Sequence, residues 1–214
     1  MDKKSRKHFL ITAGGTREYI DPVRFISNAS SGRMGYALAE AAIKAGHKVT
    51  LVTTPTGLKF PAAAKIITVE TGRQMLDAVK RYFNECDCLI MAAAVCDYAP
   101  ARPAKTKIKK SGKNLTIVLK PTPDILKWAA GKSKGGQIVV GFALEDRGIR
   151  ANAERKLIGK KLDMVVANTP AAIGGRYCKL QIKTSGDKWA VLPGMSKEKA
   201  AVQIIRMAEG LQKR

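Results

Sequence analysis

Aromatic side chains are scarce in this chain: Phe, Tyr and Trp make up 6% of its 214 residues. Sequence-tolerant binding of single-stranded nucleic acid relies on aromatic faces for bases to stack on. None interleaves the lysine-rich run from Lys105 to Lys113, so specific nucleic-acid recognition is not expected. Acidic residues are also few, with 17 Asp and Glu against 39 Lys and Arg, a formal net charge of +22. The imbalance is uneven: residues 1–100 hold 14 basic against 9 acidic residues, and residues 101–214 hold 25 against 8. Such a balance suits nucleic acid, an enzyme acting on polyanions, or a plain solvated basic surface. Charge alone does not choose between them. Long hydrophobic runs are missing. The longest, Cys88 to Val95, is flanked by Asp87 and Asp97 and falls far short of the ~18 apolar residues of a membrane span. The basic start leads straight into a short strand-like run without the apolar core and small-residue cleavage site of a signal peptide. The chain is therefore expected to be cytoplasmic and not bound to membranes. Its four cysteines are Cys86, Cys88, Cys96 and Cys178. The first pair is separated by one residue and followed by no second pair at zinc-site spacing, which argues against a zinc centre.

Hydrophobic residues, at 45%, are enough for a substantial core, and their periodicity alternates strand and helix. His8–Ala13 reads as a buried strand ending at Gly14-Gly15, with a loop following to Ser31. From Gly32, Met34, Ala37, Leu38, Ala41, Ala42 and Ala45 recur at helical spacing. Strands are expected at Lys48–Thr53, Lys65–Val69 and Cys88–Val95, with a helix over Gly72–Phe83. A hairpin signal interrupts this rhythm: Lys105–Lys110 and Asn114–Leu119 flank Ser111-Gly112-Lys113. The α/β order then resumes with helices at Pro123–Ala130 and Arg147–Lys161 and strands at Gln137–Leu144 and Met164–Asn168. A second hairpin, Cys178–Lys183 with Trp189–Leu192, turns at Ser185-Gly186-Asp187, and a helix capped by Ser196 closes the chain. The expected fold is α/β: a Rossmann-like, mostly parallel sheet with helices on both faces, plus a β-hairpin flap at about 103–120 and a C-terminal hairpin and helix. No repeat or linker divides the chain, so residues 1–214 are expected to form a single domain.

Gly14-Gly15-Thr16 and then Ser30-Ser31-Gly32-Arg33-Met34-Gly35 form the first strand-to-helix connection. Glycines let backbone approach phosphate, and free N–H groups at a helix start favour anions. The pattern is not a dinucleotide fingerprint. An insert, Arg17–Ala29, splits it, and the second strand ends in Thr53-Thr54-Pro55 rather than in a ribose-binding acid. With no Tyr-x-x-x-Lys pair present, a nicotinamide-dependent reductase is disfavoured. Within the insert, Arg24 suits bidentate binding of a carboxylate or phosphate, its plain alternative being a salt bridge with Asp21. Asn28 suits donation to a developing oxyanion, its plain alternative being a turn. Lys105, Lys107 and Lys109 alternate as on one strand face, either a solvated edge or a cationic lid. Lys156 and Lys160, one i,i+4 step apart, share a helix face and suit a triphosphate, or else a solvated basic surface.

The stretch Ile11-Thr12-Ala13-Gly14-Gly15-Thr16-Arg17-Glu18, then Ile20-Asp21-Pro22-Val23-Arg24-Phe25-Ile26-Ser27-Asn28 and Ser30-Ser31-Gly32, resembles the opening of the phosphopantothenoylcysteine synthetase (phosphopantothenate–cysteine ligase) family, bacterial type. In many bacteria this is the C-terminal half of a bifunctional coenzyme A biosynthesis protein. Further motifs follow in the family's order: Ala92-Ala93-Ala94-Val95 with Asp97-Tyr98, Lys107-Ile108-Lys109-Lys110, Pro123-Asp124-Ile125-Leu126, and Val140-Gly141-Phe142-Ala143 with Glu145. Lys156, Lys160, Asp163 and Ala167-Asn168 complete the pattern, while Thr169–Tyr177 departs from the family's longer loop.

The resemblance implies CTP-dependent ligation of 4′-phosphopantothenate to L-cysteine through an acyl-cytidylate, with Mg²⁺ accompanying CTP. It implies catalytic roles for Asn28 and Lys107, and acyl-substrate binding by Arg24, Gly14, Gly15, Thr16, Ser30, Ser31 and Gly32. Nucleotide binding falls to Met91, Ala92, Ala93, Asp97, Lys107, Pro123, Asp124, Ile125, Leu126, Phe142, Lys156 and Lys160. It names no metal ligand. It further implies a homodimer, no flavin in this chain, and a separate flavin-dependent decarboxylase acting on the product.

Overall fold

The near-continuous apolar runs of the sequence become strands covered on both faces, as parallel sheets require. The computed structural model describes residues 6–133, 136–186 and 188–211. Its main sheet contains β1 (His8–Ala13), β4 (Lys48–Thr53), β5 (Lys65–Thr68), β6 (Cys88–Met91), β9 (Ile138–Leu144), β10 (Met164–Asn168), β11 (Tyr177–Thr184) and β12 (Ala190–Ser196). The spatial order is β12-β11-β10-β9-β6-β1-β4-β5. Strands β10 through β5 pair in parallel, whereas β11 and β12 add an antiparallel hairpin at one edge.

Strand alternation divides the core. Phe9, Ile11, Leu51, Ile90, Val140 and Val166 face α1 (Arg33–Lys44) and α5 (Lys197–Gly210). Leu10, Val52, Leu89, Val139 and Val165 face the other layer, α2 (Gly72–Phe83), α3 (Ile125–Lys132) and α4 (Ile149–Gly159). The α/β architecture with helices on both faces is as expected. Helix α2 starts at a capping box formed by Thr71 and Gln74, and Ser196 caps α5 by accepting from Lys199 N at 3.3 Å.

Three local expectations are corrected. The loop after β1 contains a hairpin, β2 (Arg17–Tyr19) with β3 (Phe25–Ser27), whose strands are too short to show a period. The strand expected over Cys88–Val95 stops at Met91, and of Ala92–Val95 only Ala94 keeps a parallel bridge, to Gly15. The excursion after residue 100 is present, but its ladder lies at its base. There β7 (Tyr98–Pro100) pairs with β8 (Leu119–Pro121), one further bond runs from Ala101 N to Val118 O at 2.9 Å, and residues 103–118 form no strand. Pro103 has no N–H to continue the ladder, and an isolated two-stranded hairpin is marginal in water. The row expected for Lys105, Lys107 and Lys109 on one strand face is therefore not formed. Asp187, at the turn of the terminal hairpin, lies outside the described residues.

Candidate active site

From β1 the chain passes to β4 and β5 on one side, and from β6 to β9 and β10 on the other. The carboxyl ends of β1 and β6 thus diverge at a topological switch point, where α/β sheets form their ligand crevices. A cleft of about 630 Å³ lies there.

Its back wall is two loops laced together. Thr16 N donates to Ala94 O at 3.2 Å, Ala94 N to Gly14 O at 2.8 Å, and Cys96 N to the Thr16 hydroxyl at 2.9 Å. Gly14 sits at φ +85°, and a Cβ on it would come 2.0 Å from the Thr54 hydroxyl oxygen. A Cβ on Gly15 would come 2.7 Å from Asn28 O. Gly14, Gly15 and Thr16 are buried and stand behind the lining rather than on it.

Asn28 crosses the gap between the loops. Its Nδ2 donates to Ala94 O at 3.3 Å and Val95 O at 3.1 Å. Two carbonyls facing the amide nitrogen fix its orientation, because a flip would set oxygen against oxygen. The amide oxygen is left for the cleft, which Asn28 lines together with Ser30, Ser31 and Gly32. Helix α1 follows Gly32 with no side-chain cap and no acid in its first turn, so its first N–H groups open on the cleft.

The opposite end is formed by Met91, Ala92 and Ala93 after β6, Asp97, the Pro123–Leu126 turn, Phe142 of β9, and Lys156 and Lys160 of α4. The two lysines point the same way but have different partners. Lys156 Nζ donates to Phe142 O at 2.6 Å, whereas Lys160 Nζ pairs with Asp124 at 2.8 Å. Burial lowers the Lys156 pKa, and the neighbouring Lys160 charge adds to the shift. Asp124 also caps α3 by accepting from Lys127 N at 3.0 Å. Burial would raise its pKa, but the hydrogen bonds from Lys160 and Lys127 N outweigh it and hold the carboxyl below its usual value.

Besides Gly14, Gly15 and Thr16, two further expected site residues are off the lining. Arg24 does not line the cleft. Its Nε donates to Asp21 at 3.0 Å, and its Nη2 pairs with Asp21 and reaches Ile108 O at 2.9 Å. Ile108 N returns a bond to Asp21 at 3.1 Å, so the pair clips the excursion, here termed the arm, onto the β2–β3 hairpin. Lys107 is exposed on that arm and does not reach the lining either. Conversely, Arg33, Thr122 and Lys197 line the cleft without having been singled out in the sequence. Lys197 carried a readable signal, a lysine directly after a helix cap, where a cation opposes the dipole.

A sequence profile described as "DNA/pantothenate metabolism flavoprotein C-terminal domain" matches residues 4–211. The chain belongs to this family. It is 42% identical to the coenzyme A biosynthesis bifunctional protein CoaBC of Bacillus subtilis over 213 residues, covering 97% of this chain and 52% of that one. It is 44% identical over 170 residues to the protein of the same name from Vibrio vulnificus strain YJ016, covering 78% and 42%. The chain thus spans about half the length of these curated relatives. A crystal structure of the C-terminal domain of CoaBC superposes with a TM-score of 0.82 at 36% identity, covering 95% of this chain and 94% of that one.

Within this flavoprotein-C-terminal family frame, the cleft's acids do not make a resident metal cage. Among the described residues no group of three or more His, Cys, Asp or Glu is placed to hold an ion. Asp124 is engaged by Lys160, and Glu145 accepts from Asn152 Nδ2 at 2.8 Å. The four cysteines are buried and free. No described helix is long and apolar enough to cross a membrane.

Proposed function

We propose that this cleft joins 4′-phosphopantothenate to L-cysteine with CTP. A carboxylate oxygen attacks the α-phosphorus and the bond to the β-phosphate breaks, giving acyl-cytidylate and pyrophosphate. The cysteine amine then attacks the acyl carbon, CMP leaves, and the amine gives up a proton. The observation that carries this reading is one cleft with a cationic end on α4, a second anion-ready end at α1, and Asn28 between them. Such a site has room for two anionic reactants whose reacting groups meet in the middle, which is where positioning lowers the barrier.

Lys156 and Lys160 take the nucleotide phosphates, with Lys160 exchanging Asp124 for them, while Met91–Ala93, Asp97, Pro123–Leu126 and Phe142 surround the nucleoside. Ser30, Ser31, Gly32 and the start of α1 take the acyl substrate, with Gly14, Gly15 and Thr16 holding that wall from behind. Mg²⁺ enters as part of the nucleotide substrate, bound through the phosphates as this ion prefers. Arg24 and Lys107 act through the arm, the flap of about 103–120, once it folds toward the cleft. Asn28 offers its amide oxygen to the incoming amine and, by exchanging the longer of its two bonds, that to Ala94 O at 3.3 Å, an N–H to the oxyanion. The reading takes residues 1–214 as one ligase domain, cytoplasmic and homodimeric. It needs no flavin in this chain and leaves decarboxylation of the product to a separate flavin-dependent protein. Pyrophosphate release measured with phosphopantothenate and either CTP or ATP, with and without cysteine, tests it. CTP should turn over much faster; equal rates with both at sub-saturating concentration reject the CTP assignment, and no release with either rejects the ligase.

A further inference from the structure

Lys197 is the first residue of α5 after the Ser196 cap and is only 6% exposed. Both conditions are unfavourable for an ammonium: burial removes its water, and the first turn is the positive end of the helix dipole. Its Nζ donates to Ala172 O at 2.9 Å. Among the described residues it forms no ion pair. That carbonyl occupies one of three donors. The side chain lines the cleft with Gly174 and the uncapped start of α1, where Arg33 adds a second cation. Burial lowers the Lys197 pKa, and the charge of Arg33 pushes the same way. Glu198, the next acid in sequence, is not on the lining and is held by Ser196.

The two ends of the cleft therefore differ. At the α4 end Lys160 has Asp124 as a counter-charge. At the α1 end the carboxylate that acts on Lys197 and Arg33, that of Glu198, lies off the lining, which leaves the cleft side of the two cations open to an anion. An acyl substrate whose carboxylate meets the nucleotide beside Asn28 extends its other terminus toward this end. We propose that Lys197, reaching in from the last helix, binds the phosphate of the acyl substrate and sets the preference for the phosphorylated acid over the unphosphorylated one. The proposal rests on the ligase reading above. Binding at this remote group holds the carboxylate in place for attack.

The test is Lys197→Met and Lys197→Arg in the full chain, assayed with 4′-phosphopantothenate and with pantothenate at saturating CTP. In parallel, melting is followed against rising inorganic phosphate. One charge-assisted hydrogen bond predicts a 10- to 100-fold rise, roughly, in KM for the phosphorylated acid in Lys197→Met. KM for pantothenate and for CTP should be unchanged, and Lys197→Arg should recover part of the loss. Phosphate should raise the melting temperature of the wild type but not of Lys197→Met. If KM rises equally for both acids, or phosphate protects both proteins alike, Lys197 only fastens the turn at Ala172 and the proposal is overturned. If the wild type turns over neither acid, the ligase reading fails. In that case the phosphate arm still decides whether Lys197 holds an anion. Should Lys197→Met not fold, Lys197→Arg and Lys197→Gln carry the same comparison.

Discussion

Asn28 is where single atoms matter most. Both of its donor hydrogens point at backbone carbonyls, so an Asp at this position would set a carboxylate oxygen against Ala94 O and Val95 O. It would also repel the oxyanion formed when the amine attacks. The phosphate contacts proposed for Lys156 and Lys160 lie on α4, whose lysines are held by Phe142 O and Asp124 and not by Asn28. Asn28→Asp should therefore release pyrophosphate in the first turnover but pass the acyl-cytidylate to cysteine slowly. The expected loss is about 10²–10³, the usual cost of one oxyanion-stabilising group. Mass spectrometry of a quenched single turnover should find the intermediate accumulating. Its absence would move Asn28 into the activation step, and normal turnover would leave it only the role of lacing the loops.

Among the elements, the arm is the least self-sufficient. It has a short ladder at its base and is held further out by Asp21, which accepts from Val23 N, Arg24 N, Ile108 N and the Arg24 guanidinium. Ala104 N adds a bond to Ile20 O at 2.8 Å. Arg24, opposed by burial and helped by those backbone N–H groups, holds the Asp21 carboxyl well below the usual carboxylate range. A depressed folded pKa means that the tie's contribution is complete above the unfolded value of about 3.9 and fades only as pH falls below it. Protection factors over residues 101–118, corrected for the pH dependence of intrinsic amide exchange, should then be constant from neutral pH to about 4. In Arg24→Ala they should fall at pH 7 while those in β1 and β6 stay as they were. Lys107→Gln tests the arm's chemical part. It should slow single-turnover pyrophosphate release roughly 10- to 100-fold without shifting the melting temperature, since Lys107 is exposed and outside the core. Unchanged activation would mean that the lysines serve only to keep the arm soluble.

At the scale of the molecule, exposed apolar residues occur both on the main sheet and its helices, as at Ile158, Tyr177 and Val191, and on the elements that leave the sheet. Val118 is 72% exposed, and Leu115, Val23, Tyr98, Phe25 and Leu119 are exposed with it, on the arm, on β7 and β8 and on the β2–β3 hairpin that packs beside β7. A cluster of this kind marks an interaction surface. The proposed homodimer would bury it, and wild-type protein should run at twice the mass of one chain in light scattering. Leu115→Asp combined with Val118→Asp should halve that mass. A monomeric wild type at micromolar concentration would reject the dimer. The net charge of +22 is larger than two anionic substrates require, and nothing in the structure accounts for the excess.

The sequence by itself determined the α/β class, most of the strands and helices and the split of the core, because each depends on a local period. Phe9 and Ile11 alternate with Leu10 wherever the sheet is placed. The shared face of Lys156 and Lys160 and the position of Asn28 just before Ser30-Ser31-Gly32 follow equally from spacing, whereas the missing side-chain cap on α1 does not. Tertiary structure decided what spacing cannot express. Strands of three residues carry no period, so the β2–β3 hairpin appears only when Arg17 and Ser27 pair. Alternation suggested a lysine-bearing strand in the arm, but with no sheet face to bury it and Pro103 in its path the ladder stops near its base. The partners of Arg24 and Asn28, separated by 84 and 67 residues, depend on how loops from different strands meet. Lys197 enters the cleft only because α5 packs against α1, which brings the far end of the chain beside the loop that follows the first strand.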